Sequence, residues 1–114
     1  MQKNYYAQNL NAQRLWQVYK TEIPRVSEYL EREISFVRDR MKKTDTVLEL
    51  AAGYGRIMKE LAPYVKSITG IEISGNNVSF GEEYLSGIPN TELLTLDVHD
   101  IDYCNRFDAV LCLQ

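Results

Sequence analysis

The chain of 114 residues carries only two cysteines, one histidine, one tryptophan and three prolines. Cys104 and Cys112 stand too far apart for a C-x-x-C pair, and the lone His99 completes no metal-ligand set, so reduced thiols and no metal are expected. Basic residues are also scarce: 13 Lys and Arg face 16 Asp and Glu, a net charge of −3. That balance offers no electrostatic footprint for nucleic acid or an anionic membrane, and neither is expected as a partner. The one basic cluster, Arg38, Arg40, Lys42 and Lys43, falls where a helix should end, where cations complement the helix dipole. Behind Gln2, Lys3, Asn4, Tyr5 and Tyr6 there is no apolar run, which excludes a signal peptide or membrane span and implies a cytoplasmic protein.

What is present is an ordinary globular composition, 45% hydrophobic and 25% charged, enough for one small core. Leu10, Leu15, Val18 and Tyr19, with Asn11 as N-cap, predict an amphipathic helix over Asn9–Glu22. From Pro24 to about Lys42, Val26, Leu30, Ile34, Val37 and Met41 recur at helical spacing, a second helix with one buried stripe and proline in its first turn. Lys43-Thr44-Asp45 is a polar hinge. It divides the chain into an N-terminal helical segment, residues 1–43, and a domain over residues 44–114.

Beyond the hinge, compact runs replace helical stripes. Thr46–Leu50 reads as a buried strand, Arg56–Ala62 as a helix stopped by Pro63, and Ser67–Ile73 as a second strand. Ser74 caps a helix to about Leu85, Gly87 and Pro89 break the chain, and strands follow at Thr91–Leu96 and Phe107–Leu113. Such alternation implies an α/β fold with parallel strands and right-handed crossovers, and places function beyond the carboxyl ends of the strands.

The informative stretch is Val47-Leu48-Glu49-Leu50-Ala51-Ala52-Gly53-Tyr54-Gly55-Arg56, where a buried strand runs straight into small residues and then a helix. Small residues at Ala51, Gly53 and Gly55 let main-chain N–H groups and a helix N-terminus approach a polar cofactor. A dinucleotide fingerprint, G-x-G-x-x-G, would put its third glycine at Met58, which weakens a nicotinamide reading. What matches instead is an acid followed by small residues at alternate positions. ELAAGYGR resembles motif I of the class I S-adenosylmethionine-dependent methyltransferases, written E/D-x-G-x-G-x-G, with Ala51 where the first glycine usually stands.

The resemblance implies a Rossmann-like sheet in the order 3-2-1-4 behind N-terminal helices, S-adenosylmethionine as cofactor, and a methyltransferase acting on a small-molecule acceptor. It implies that Glu49, Ala51, Gly53 and Gly55 line the cofactor and that Glu72, with Ile73 beside it, holds the ribose hydroxyls. Glu72 follows Gly53 by 19 residues, near the roughly 20-residue offset of a βαβ unit. Asp97 and Val98 correspond to the adenine site, with Asp100 and Asp102 as alternative registers. His99 reads as a surface or adenine-lining residue rather than a base. Leu113 and Gln114 fall nearest the methyl group, and because they are not the Asn/Asp-Pro-Pro-aromatic element, amide and adenine amino acceptors are disfavoured. No catalytic residue is assigned. Tyr5 and Tyr6 stand either in a helical lid or in plain packing. Members of this family continue through three more strands, so the sequence reads as truncated after the fourth, with Ala109–Leu113 an open apolar edge suited to self-association. A cofactor-binding module without catalysis and a nucleotide-binding Rossmann-like domain are the alternative readings.

Overall fold

The structure, a computed structural model, describes Gln13, Trp16, Gln17, Lys20 and residues 23–113. Apart from those four positions, the helix expected over Asn9–Glu22 lies outside the described residues, as do Tyr5, Tyr6 and Gln114. Helix α1 spans Pro24–Arg38 with Pro24 in its first turn, where a missing N–H costs no helical bond. It stops four residues before the expected Lys42. The Asp45 carboxylate captures the Lys42 N–H at 2.8 Å and the Asp45 N–H bonds the Lys42 carbonyl at 2.9 Å, which turns the chain into the first strand. Arg40 behaves as a helix-end cation should, donating to the Phe36 carbonyl at 2.8 Å. Of the expected apolar stripe, Val37 is buried, and Ile34 and Met41 pack on the core, while Val26 is 40% exposed.

Four strands follow: β1 (Thr46–Leu50), β2 (Ser67–Glu72), β3 (Thr91–Thr95) and β4 (Ala109–Leu111). They form one parallel sheet, as the alternation of elements predicts, in the order β3-β2-β1-β4 that the family resemblance implies. Between them, α2 (Arg56–Leu61) runs into a 3-10 turn at Ala62–Tyr64, α3 covers Gly75–Tyr84, and a second 3-10 turn covers Val98–Asp100. Strand β4 is shorter than the expected Phe107–Leu113: only Ala109, Val110 and Leu111 pair, against Val47, Leu48 and Glu49. Its position is fixed from the start, because the Asp108 carboxylate accepts from the Thr46 N–H at 2.8 Å and the Thr46 hydroxyl at 3.1 Å, bonds that hold its pKa below the ordinary value. Leu113 lies past the end of the strand, half-buried against the core.

Alternation along the strands sends Val47, Ile68 and Leu93 to one face, where they meet Ile57, Met58 and Leu61 of α2 and Val78 of α3. The third fingerprint glycine is absent, and Met58 is wholly buried in its place. Space for it comes from β2: a Cβ on Gly70 would lie 2.5 Å from Met58 Sδ and 2.7 Å from Ala52 Cβ. Close helix-to-strand packing is therefore achieved with the glycine on the strand. Among the described residues no helix is long and apolar enough to cross a membrane.

Candidate functional site

Where β1 ends, the backbone enters left-handed conformation at Ala51 (φ 54°), Gly53 (φ 62°) and Gly55 (φ 94°). Glycine adopts this region freely, whereas alanine is strained there, so the extra methyl of Ala51 carries a cost in backbone energy rather than in space. That methyl belongs to an exposed residue. The bend is tied to the neighbouring strand, with the Ala52 N–H donating to the Ile71 carbonyl at 2.9 Å, and it closes on itself through Gly55 N–H to Ala52 carbonyl at 3.1 Å. Gly55 is buried, and a Cβ there would stand 2.7 Å from Leu85 Cδ1, so packing against the end of α3 is what this glycine permits.

Glu72 ends β2 and is 1% exposed. Its Oε1 accepts from the Gly53 N–H at 3.0 Å, and its Oε2 accepts from the Ser74 N–H at 3.0 Å and from Asn77 Nδ2 at 3.2 Å. The two landmarks that stand 19 residues apart in sequence thus meet directly. Three of about four carboxylate acceptor positions are taken by these donors. In the described residues, then, Glu72 braces the bend as well as standing where the ribose is expected. Asn77 was not legible as part of this constellation. Its signal lies in Ser74-x-x-Asn77, where Ser74 Oγ accepts from the Asn77 N–H at 3.3 Å and fixes the first turn of α3.

Glu49, near the end of β1, is 2% exposed, and its Oε1 has no hydrogen-bond donor among the described residues. Burial pushes its pKa up to about 8; Arg56 opposes that, and Glu33 and Glu72 reinforce it. Arg56, at the start of α2, pairs with Glu33 of α1 at 2.8 Å, the two side chains being 17% and 12% exposed. Sequence reasoning quoted Arg56 within the motif but gave no role to Glu33, because a partner on a separate helix has no fixed sequence spacing.

The remaining candidates sit along the same carboxyl edge of the sheet. Ile73 is half-buried directly after Glu72. The Leu96 N–H donates to the Glu72 carbonyl at 2.9 Å, which brings the β3 terminus against that of β2. Asp97, next in sequence, accepts from the His99 N–H at 3.0 Å and caps the short turn that holds Val98, itself 43% exposed. Among the described residues no group of three His, Cys, Asp or Glu side chains could hold a metal ion.

Residues 47–114 match the family described as "Methyltransferase domain". Over 63 residues the chain is 27% identical to ribosomal RNA small subunit methyltransferase A of Clostridioides difficile, a match covering 55% of this chain and 22% of that protein. The solved YcgJ protein of Bacillus subtilis superposes with a TM-score of 0.67 at 17% identity, over 72% of this chain and 37% of that one. SAM-bound CalS10, an amino pentose methyltransferase from Micromonospora echinaspora, gives 0.63 at 24% identity, over 73% and 36%. The chain thus spans about a fifth of the curated relative and little over a third of these two structures. The expected cofactor agrees with these matches. The expectation that nucleic acid plays no part is corrected by them: the curated relative is a ribosomal RNA methyltransferase, and the structural neighbours include a 23S rRNA methyltransferase and a further rRNA methylase. Net charge is no ground for excluding nucleic acid, because it sums the whole chain, whereas recognition of a polymer rests on local patches or on other parts of a protein.

Proposed function

The chain belongs to the methyltransferase-domain family, and from that premise we propose that it binds S-adenosylmethionine across the carboxyl ends of β1 to β4 and directs its methyl group to an acceptor. The observation that carries this reading is the bond between Gly53 N–H and the Glu72 carboxylate, which joins the glycine bend and the strand-end acid in one crevice. The buried, donorless Oε1 of Glu49 fits a ligand that brings a cationic donor, as the ammonium of an amino acid does. In this reading Glu49 and the bend at Ala51 and Gly53 receive the amino-acid end, and Gly55 holds the bend in place. Glu72 and Ile73 face the ribose, Asp97 and Val98 the adenine, and Leu113 lies toward the methyl group.

S-adenosylmethionine supplies an electrophilic methyl group on a sulfonium, so the transfer is a direct displacement. The protein's part is to align the acceptor in line and exclude water, and a dedicated base is not required. Sequence and fold identify no acceptor. The solved structures similar to this chain are named for both ribosomal RNA and an amino sugar, and an assay with radiolabelled cofactor should therefore offer structured RNA and small amines side by side. Calorimetry with S-adenosylmethionine and S-adenosylhomocysteine tests the cofactor assignment first. Binding of either, weakened on Glu72→Ala by about 1.5–3 kcal/mol, the worth of hydrogen bonds to a charged group, supports it; affinity for NAD and none for either sulfur compound sinks it.

A further inference from the structure

Glu49 is the buried titratable group whose protonation state the cofactor assignment leaves open. It is registered against Gly70 on β2, which has no side chain, and against Leu111 on β4, which has no polar one. Neither side of the strand gives its carboxyl group a partner. Among the described residues the charged groups that act on it are Arg56 from α2, Glu33 from α1 and Glu72 from β2. Arg56 is shared with Glu33 through their 2.8 Å ion pair, and Glu72 adds a second buried carboxylate. An ionised Glu49 in such a place would be a desolvated anion with one oxygen unbonded by any described residue, facing two further anions and a cation shared with Glu33.

We propose that Glu49 is a neutral carboxylic acid before the cofactor arrives and a carboxylate afterwards, so that the ligand's ammonium group enters as a proton leaves. The inference rests on the proposed cofactor site and adds to it a regulatory property: occupancy is set by pH and by the Glu33–Arg56 pair on the adjoining helices. In the binding step the O–H bond of Glu49 breaks, the proton passes to solvent, and the carboxylate so formed accepts hydrogen bonds from the ammonium. At the Glu49 contact one positive charge replaces another, since the ammonium enters as the proton departs, and the ligand's own carboxylate is bound elsewhere in the site. Burial that holds the acid at a pKa of about 8 makes the neutral form the resting one at pH 7.

Glu33 tunes this without belonging to the crevice. Neutralising it removes a nearby negative charge that opposes ionisation of Glu49, which favours the carboxylate even without ligand. Glu33 is therefore a positioning residue for charge, and its variant distinguishes electrostatic control from simple support of the fold.

The test is titration calorimetry with S-adenosylhomocysteine at pH 7 in buffers of different ionisation enthalpy, repeated between pH 6 and pH 7.5. The wild-type chain should release roughly one proton per ligand and bind about tenfold more tightly per pH unit. Glu49→Gln, which imitates the neutral acid, should abolish the release and flatten the pH dependence. Should that variant not bind, Glu33→Gln decides: it should bind with a smaller proton release and with the pH dependence displaced to lower pH. Binding by the wild type with no dependence on buffer overturns the proton exchange and leaves the cofactor site standing. An unchanged release in Glu33→Gln overturns the control by the helix pair. Failure to bind either S-adenosylhomocysteine or S-adenosylmethionine overturns both the exchange and the cofactor reading beneath it.

Discussion

Glu49 near the end of β1 and Glu72 at the end of β2 lie on the same face of the sheet, 2% and 1% exposed. Glu72 receives hydrogen bonds from two backbone N–H groups and an asparagine amide, whereas Glu49 keeps an oxygen with no donor among the described residues. The difference follows from what comes next in the chain. After β2 the sequence enters a capped helix whose first turn presents donors back toward the strand, while after β1 it enters a glycine bend whose N–H at Gly53 is aimed across at the neighbouring strand. One carboxylate has most of its acceptor positions filled by its own chain, and the other has an oxygen that the described residues leave unfilled. The contrast teaches that burial alone does not assign a role to an acid; the census of donors does.

The largest way to break this comparison is to remove the satisfied partner. Glu72→Ala strands the Gly53 and Ser74 N–H groups and the Asn77 amide, and urea unfolding should report a loss of about 3 kcal/mol or more; an unchanged unfolding curve would mean that the carboxylate braces nothing. The unsatisfied partner is probed by pH. Because the folded pKa of Glu49 is raised to about 8 from 4.5, its contribution is fully present below pH 4.5 and lost as pH climbs toward 8. Unfolding between pH 5 and pH 7 should show stability falling with pH by about 2–3 kcal/mol from this group, and Glu49→Gln should remove that part of the slope.

Smaller effects test the scaffold between the two ends. Gly70 sits opposite Glu49 in the register, and Gly70→Ala would drive a Cβ into Met58 and Ala52. A cost of about 1–3 kcal/mol is expected from such overpacking, and thermal unfolding with no change would mean that Met58 has room to move. The smallest change should be a gain. Ala51→Gly relieves a left-handed alanine at an exposed position, and denaturant unfolding should show stabilisation of about 1 kcal/mol. A loss would mean that the methyl makes contacts worth more than the strain.

Much of this was legible from the residues in order. The strand and helix runs, the glycine bend and the 19-residue offset to Glu72 are local or nearly local, and each follows from periodicity, capping or the length of a βαβ unit. Strand β4 and the end of α1 came out shorter than expected, because Asp108 and Asp45 fix backbone positions through hydrogen bonds that no apolar count registers. Asn77 and Glu33 were missed for the related reason that polar partners are chosen in space. Whole-chain charge spoke against nucleic acid, yet ribosomal RNA methyltransferases are among the proteins this chain resembles.

The sequence by itself determined the alternation of strands and helices, the parallel pairing that alternation implies, and the stretch of small residues where the main chain bends after β1. Only the tertiary structure decided which buried carboxylate is satisfied, that Gly70 makes the room Met58 needs, and that Glu33 on α1 reaches Arg56 beside the crevice. The physical reason is one of range. Backbone preference and apolar periodicity act over a few residues and leave their mark in the order of the chain, whereas hydrogen bonds, close contacts and Coulomb forces act through space and exist only once distant segments have been brought together.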